Sequence, residues 1–217
     1  MSTDTQLRND IEAEFDYDPR FDSRQIGVAV KNGIVSLTGY VGSYAERRAA
    51  EEAAQSVAGV KALANDIAIE LPSSLKRTDA EIAEIAVAAL KSNVSVPAND
   101  IRLIVHEGWL TLEGQVRMWY QKNAAEFAVA GLHGVKGIRN NITIRSQASV
   151  ANVQTQIENA FRRRAQLDAK NIRVKTTDGT VTLDGEVPTW QERQQAENAA
   201  WLAAGVSKVV DNLSVRP

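Results

Sequence analysis

The sequence predicts an α+β chain of three tandem αββαβ units. Each is a two-layer unit, a small three-stranded mixed sheet covered by two helices on one face. Three observations predict it: a segment that recurs at fixed offsets, hydrophobic periods that switch in the same order each time, and glycines at matching joints. GIVSLTGYV (33–41), GWLTLEGQV (108–116) and GTVTLDGEV (179–187) lie 75 and 71 residues apart. Gly39, Gly114 and Gly185 correspond, as do Ile26, Ile101 and Ile172, and Gly59, Gly134 and Gly205. Units closing with NDIAIE (65–70), NNITIR (140–145) and DNLSVR (211–216) complete the register. A repeat of this period must be recognised before any other feature, because it sets the fold.

The elements follow in order within spans 4–71, 78–146 and 150–216. A first helix is expected at about 4–16, 78–92 and 150–166, with apolar positions at helical spacing: Leu7, Ile11 and Phe15, or Ile82, Ile85, Val87 and Leu90. Two alternating strands come next. The first turns Ile26, Val28 and Val30, then Ile101, Leu103 and Val105, then Ile172 and Val174, toward the core. The turns KNG, HEG and TDG end in Gly33, Gly108 and Gly179, which reach positive φ at little steric cost. The second strand buries Val35 and Leu37, Leu110 and Leu112, or Val181 and Leu183.

A second helix starts at Ser43, Met118 and Thr189. Ser43 with Glu46 and Thr189 with Glu192 fit capping boxes, whereas Met118 with Gln121 keeps half of one. Its buried stripe is small, Ala49, Ala50, Ala53 and Val57 or Ala196, Ala199, Ala200 and Ala203, which lets the helix lie close to a sheet. The last strand turns Ile67 and Ile69, Ile142 and Ile144, or Leu213 and Val215 inward and pairs in parallel, because a helix long enough to cross the sheet precedes it. Units of about 70 residues have marginal cores on their own, so packing between them is expected. The linkers LPSSLKR (71–77) and RSQAS (145–149) are short.

Composition narrows the function classes. The 217 residues are 44% hydrophobic and 24% charged, an ordinary globular balance. Net charge is −2, which disfavours nucleic acid as a partner. There is no cysteine, so disulfides, thiolate metal sites and cysteine nucleophiles are excluded. Two histidines, His106 and His133, stand apart in the chain, and no P-loop, dinucleotide, zinc-protease or EF-hand pattern occurs. No catalytic residue, metal or cofactor is assigned. Neither a secretory leader nor an apolar run of membrane-spanning length is read from the sequence, so a cytoplasmic, peripherally membrane-associated location is the expectation. A periplasmic one is the alternative if a leader has been removed.

The αββαβ order, the second-strand glycine followed closely by Val, the Ser/Thr-aromatic-x-Glu-Arg start of the second helix and the Gly-Val…Asn-x-Ile/Leu ending together resemble the BON domain. The resemblance covers nearly the whole chain in three copies. It implies no catalysis. It implies binding at phospholipid membranes, envelope maintenance or transport-associated roles, and in some members chaperone-like activity.

Two residue sets are candidates for function. Tyr44, Trp119 and Trp190 are equivalent at the start of the second helix, with Arg47, Lys122 and Arg193 three residues on. An aromatic with a cation one turn later suits a lipid headgroup layer, or else the ring covers its own helical turn or packs between units. The second set lies on the sheet face opposite the helices. Ile34 and Tyr40 in copy one and Ile104 and Trp109 in copy two stand where copy three has Arg173, Lys175, Asp184 and Glu186. They read as contacts between units or subunits, or as a ligand surface. Trp201, aligned with Gln55 and Ala130, joins this interface set. Arg162, Arg163 and Arg164 favour the dipole at a helix end, or contact anionic lipid. Formal charge is −5 over 1–74, +2 over 75–147 and +1 over 148–217, which directs copies two and three toward an anionic surface, weakly and with salt sensitivity. The expected function is binding to anionic phospholipid or a membrane protein in support of envelope stress tolerance or transport. The alternative is a homo-oligomer or small-solute carrier with tryptophan-lined contacts.

Overall fold

Alternation and helical spacing become elements in the anticipated order. The computed structural model describes residues 3–71, 76–145, 153–163 and 171–216. The expected helix ends at 150–152 and 164–166, linker residues 72–75 and 146–149, and Arg164 lie outside them. Repeat one comprises α1 (Asp4–Tyr17), β1 (Ile26–Lys31), β2 (Ile34–Val41), α2 (Tyr44–Ser56) and β3 (Ala62–Ile69). Repeat two comprises α3 (Asp79–Ser92), β4 (Ile101–His106), β5 (Trp109–Val116), α4 (Trp119–Ala130) and β6 (Gly137–Ile144). Repeat three comprises α5 (Val153–Arg163), β7 (Ile172–Thr177), β8 (Thr180–Val187), α6 (Trp190–Trp201) and β9 (Lys208–Val215).

Each repeat forms its own three-stranded sheet, with the second strand central. The β4–β5 and β7–β8 pairs are antiparallel, and β5–β6 and β8–β9 are parallel. In repeats two and three one cluster on the helix-covered face makes the core. In repeat two it joins Ile82, Ala86 and Leu90 of α3 to Leu110, Leu112 and Val116 of β5, Ala125 and Val129 of α4, and Ile142 of β6. Repeat three repeats the pattern with Val153, Ile157 and Phe161 packed on Val181, Leu183 and Leu213. Val87 departs from expectation and is exposed. Ala86, one residue earlier, completes the i, i+4, i+8 stripe with Ile82 and Leu90, so a small residue takes the inward position. In α2 the stripe is Ala49, Ala50, Ala53 and Ala54; Val57 lies beyond the helix and is half-buried.

The caps match the sequence reading. Ser43 Oγ accepts from the Glu46 N–H at 3.2 Å while the Glu46 carboxylate accepts from the Gly42 N–H at 3.1 Å. At α6 the hydroxyl half of the expected box is present, Thr189 accepting from the Glu192 N–H at 3.1 Å. At α4 the Gln121 side-chain oxygen accepts from the Arg117 and Met118 N–H groups, both at 3.0 Å, the half-box anticipated there.

A longer-range device holds the hairpins. Asn32–Gly33 and Glu107–Gly108 each place two successive residues at positive φ, the type I′ arrangement that suits strand twist. In repeat one the carboxylate of Asp4, at the start of α1, accepts from the Asn32 and Gly33 N–H groups at 2.7 and 3.0 Å. In repeat two Asp79 accepts from Glu107 and Gly108 at 2.8 and 2.9 Å. Each carboxylate thus ties a helix N-terminus to a turn 28–29 residues away. Asp79→Ala is expected to cost about 1–2 kcal/mol, because two amides lose a charged acceptor that water replaces only in part. Thermal melting of the full chain checks it, with Asp10→Ala as the surface control; equal melting temperatures for the two variants would refute the clamp.

Candidate functional site

The aromatic–basic positions occupy the first turns of α2, α4 and α6, where the chain leaves the central strand. Tyr44, Trp119 and Trp190 are all half-buried. Tyr44 packs against the repeat-two cluster. Four residues on, Arg48 Nη1 pairs with Glu126 Oε1 at 3.2 Å and its guanidinium stands 5.8 Å from the Phe127 ring centroid. Arg193 lies over Trp190, 4.8 Å from the ring centroid, and its Nε donates to Asp211 Oδ2 at 2.7 Å. The Trp190 indole Nε1 is buried with no partner among the described residues. Lys122 is half-buried, and desolvation holds its ammonium below the ordinary lysine range, opposed by attraction to Glu126.

A polar residue beneath these helices explains the differences, and sequence reasoning missed it. Asn65, Asn140 and Asp211 are equivalent and sit on the inward phase of the third strand. Asn65 Nδ2 donates to Glu51 Oε2 at 3.0 Å, and Asn140 Nδ2 donates to Glu126 Oε2 and to the Lys122 carbonyl, both at 3.0 Å. The Oδ1 atom of each residue accepts from the N–H two residues on, at Ile67, Ile142 and Leu213. In repeat three the carboxylate of Asp211 draws Arg193 inward, and Glu197 instead accepts from Trp201 Nε1 at 3.2 Å. The available signal was one polar residue, at the same place in all three closing motifs, on a strand phase otherwise apolar.

What faces outward at these helix starts differs by repeat. In α4 Met118 and Tyr120, on either side of Trp119, are exposed, as is Arg117. On the opposite sheet faces Ile34, Tyr40, Ile104 and Trp109 are each about half exposed. Trp201 is half-buried against the core of its own repeat. Arg47 is half-buried, and Arg162 and Arg163 are exposed at the end of α5.

The structure brings no catalytic constellation together among the described residues. His106 and His133 are exposed, and among the described residues no group of three His, Asp or Glu side chains could hold a metal. No helix among the described residues is long and apolar enough to cross a membrane.

The model of the BON domain matches residues 3–70, 78–146 and 149–217. Osmotically-inducible protein Y of Escherichia coli (strain K12) is 26% identical over 146 residues, 64% of this chain and 73% of that protein. Among solved structures, a chain of CdsD, a structural protein of the type III secretion system of Chlamydia trachomatis, is 15% identical over 97% of this chain and 92% of its own, with a TM-score of 0.28. The C-terminal domain of CdsD is 16% identical over 100% of both chains, with a TM-score of 0.25. Matched three times in succession over nearly all of its length, the chain belongs to the BON domain family.

Proposed function

We propose that this protein is a non-catalytic binding module that docks on anionic phospholipid surfaces through the start of α4, in support of envelope stress tolerance. One observation carries the reading: Arg117, Met118 and Tyr120 are exposed together on one turn at the start of α4, with Phe127 exposed further along the same helix. An apolar side chain and a phenol ring enter the headgroup layer, while a guanidinium bonds phosphate oxygens. Repeat two carries a formal charge of +2, which favours an anionic surface. The family and the osmotically inducible relative support a stress setting.

Relative to the pairs read from sequence, this adds to Trp119 and Lys122 the exposed residues Met118 and Tyr120 on either side of the ring, and Arg117 before them as the cation. Co-sedimentation with vesicles rich in phosphatidylglycerol tests it, against phosphatidylcholine vesicles. Binding is expected at low salt, falling about tenfold by 0.5 M salt as screening lengths shrink. Met118→Ser with Tyr120→Ser is expected to reduce it at least about fivefold through lost apolar burial. Vesicle binding indifferent to lipid charge, or unchanged in the double variant, would overturn the assignment.

A further inference from the structure

Asn32 is the only asparagine in the chain that precedes a glycine. The pair suits its turn, with φ 55° at Asn32 and 78° at Gly33, as a type I′ hairpin requires. The same pair is a chemical weak point. Glycine has no side chain to keep its amide nitrogen from the side-chain carbonyl carbon of the asparagine before it, and attack there closes a five-membered ring. Asn32 is exposed, and its side-chain amide has no hydrogen-bond partner among the described residues. The equivalent residues Glu107 and Asp178 share the positive φ, at 51° and 48°, but carry no amide to lose as ammonia.

The Asp4 carboxylate stands in the way of that attack. Its Oδ1 accepts from the Gly33 N–H at 3.0 Å, and its Oδ2 accepts from the Asn32 N–H at 2.7 Å. Ring closure needs the Gly33 nitrogen stripped of its proton. A carboxylate bound to that proton opposes its removal twice, through the hydrogen bond and through repulsion of the anion that would form. Gly33 is also buried in the closed turn, so a base reaches its nitrogen when the turn opens. The clamp that ties α1 to the hairpin disfavours that opening.

We propose that Asn32 is a modification site, a point of deamidation that the Asp4 carboxylate restrains by occupying the attacking amide. The reaction needs water alone. The Gly33 nitrogen gives its proton to a base and bonds Cγ of Asn32; the Cγ–Nδ2 bond breaks, and ammonia leaves with a proton returned from solvent. The resulting succinimide is opened by water at either carbonyl, giving aspartate or isoaspartate. Water is consumed, ammonia is released, and nothing is oxidised or reduced. Either product sets a second carboxylate beside Asp4, where like charges repel. Isoaspartate also adds a methylene to the main chain of a two-residue turn whose flanks, Lys31 and Ile34, are register partners. Conversion therefore loosens the tie between α1 and the first hairpin, irreversibly and in repeat one.

Peptide mapping by mass spectrometry tests this on the full chain, incubated under mildly alkaline conditions and sampled over days. In the parent, Asn32 is expected to convert slowly. Asp4→Ala should speed its conversion at least about tenfold, the factor a lost charged acceptor is worth in a local opening equilibrium. Asp4→Asn, which keeps an acceptor oxygen without the charge, should also convert faster than the parent. Asp10→Ala removes a carboxylate from the same helix without touching the hairpin, and should stay within about twofold of the parent. Asn9 in α1 and Asn65 in β3 report on unfolding of the repeat, and their rates should not change. Equal rates at Asn32 in the parent and both Asp4 variants would overturn the proposal. So would acceleration shared by Asn9 and Asn65 in both variants, because the effect would then be unfolding and not protection of one amide.

Discussion

Gly114→Ala is expected to destabilise repeat two by at least about 3 kcal/mol, lowering its melting temperature by about 12 °C or more. Gly114 has φ +140°, and a Cβ there would overlap the carbonyl oxygen of Asp100, the residue just before β4. The obstacle is backbone, so no rotamer relieves it. Gly39 meets the Gln25 carbonyl and Gly185 the Asn171 carbonyl in the same way. The central strand crosses the entry of the first strand at one fixed close approach in each repeat. Gly131→Ala is the control: it has φ −91°, and a Cβ there meets nothing within 4 Å. Calorimetry that finds the two variants within about 2 °C of one another would contradict this account of the joint.

Phe161→Ala is expected to cost 3–5 kcal/mol, to within about 1 kcal/mol, through lost burial and the cavity left behind. Phe161 is 1% exposed and shares its cluster with Val153, Ile157 and Leu183. A core in a unit of about 70 residues rarely supplies more than about 3–5 kcal/mol in all, so one substitution removes most of the margin. In a ¹H–¹⁵N correlation spectrum the signals of β7 to β9 should collapse toward unfolded positions. Retained dispersion for residues 171–216, with a loss below about 1 kcal/mol, is the contrary result.

The strands and their inward phases were legible because alternation is a two-state signal: Val35 and Leu37, Leu110 and Leu112, and Val181 and Leu183 are all fully buried. The Ser43–Glu46 cap was legible because its partners are three residues apart. Val87 misled because residue size, read alone, outranks Ala86, whereas helical phase decides which of two neighbours faces inward. The same 100° step per residue separates half-buried Trp119 from the exposed Met118 and Tyr120, a difference in phase that aligning Trp119 with Tyr44 and Trp190 does not reveal. The Asp79 clamp was illegible for another reason: its partners are 28 and 29 residues away, and no local pattern links them.

The clamp also distinguishes the repeats. By alignment, Val150 stands where Asp4 and Asp79 stand, and among the described residues no side chain accepts from the amides of Asp178 or Gly179. Identical topology therefore does not mean identical resistance to local opening. The third hairpin is expected to open more readily than the two tethered ones, with faster amide exchange at Asp178 and Gly179 than at Asn32, Gly33, Glu107 and Gly108.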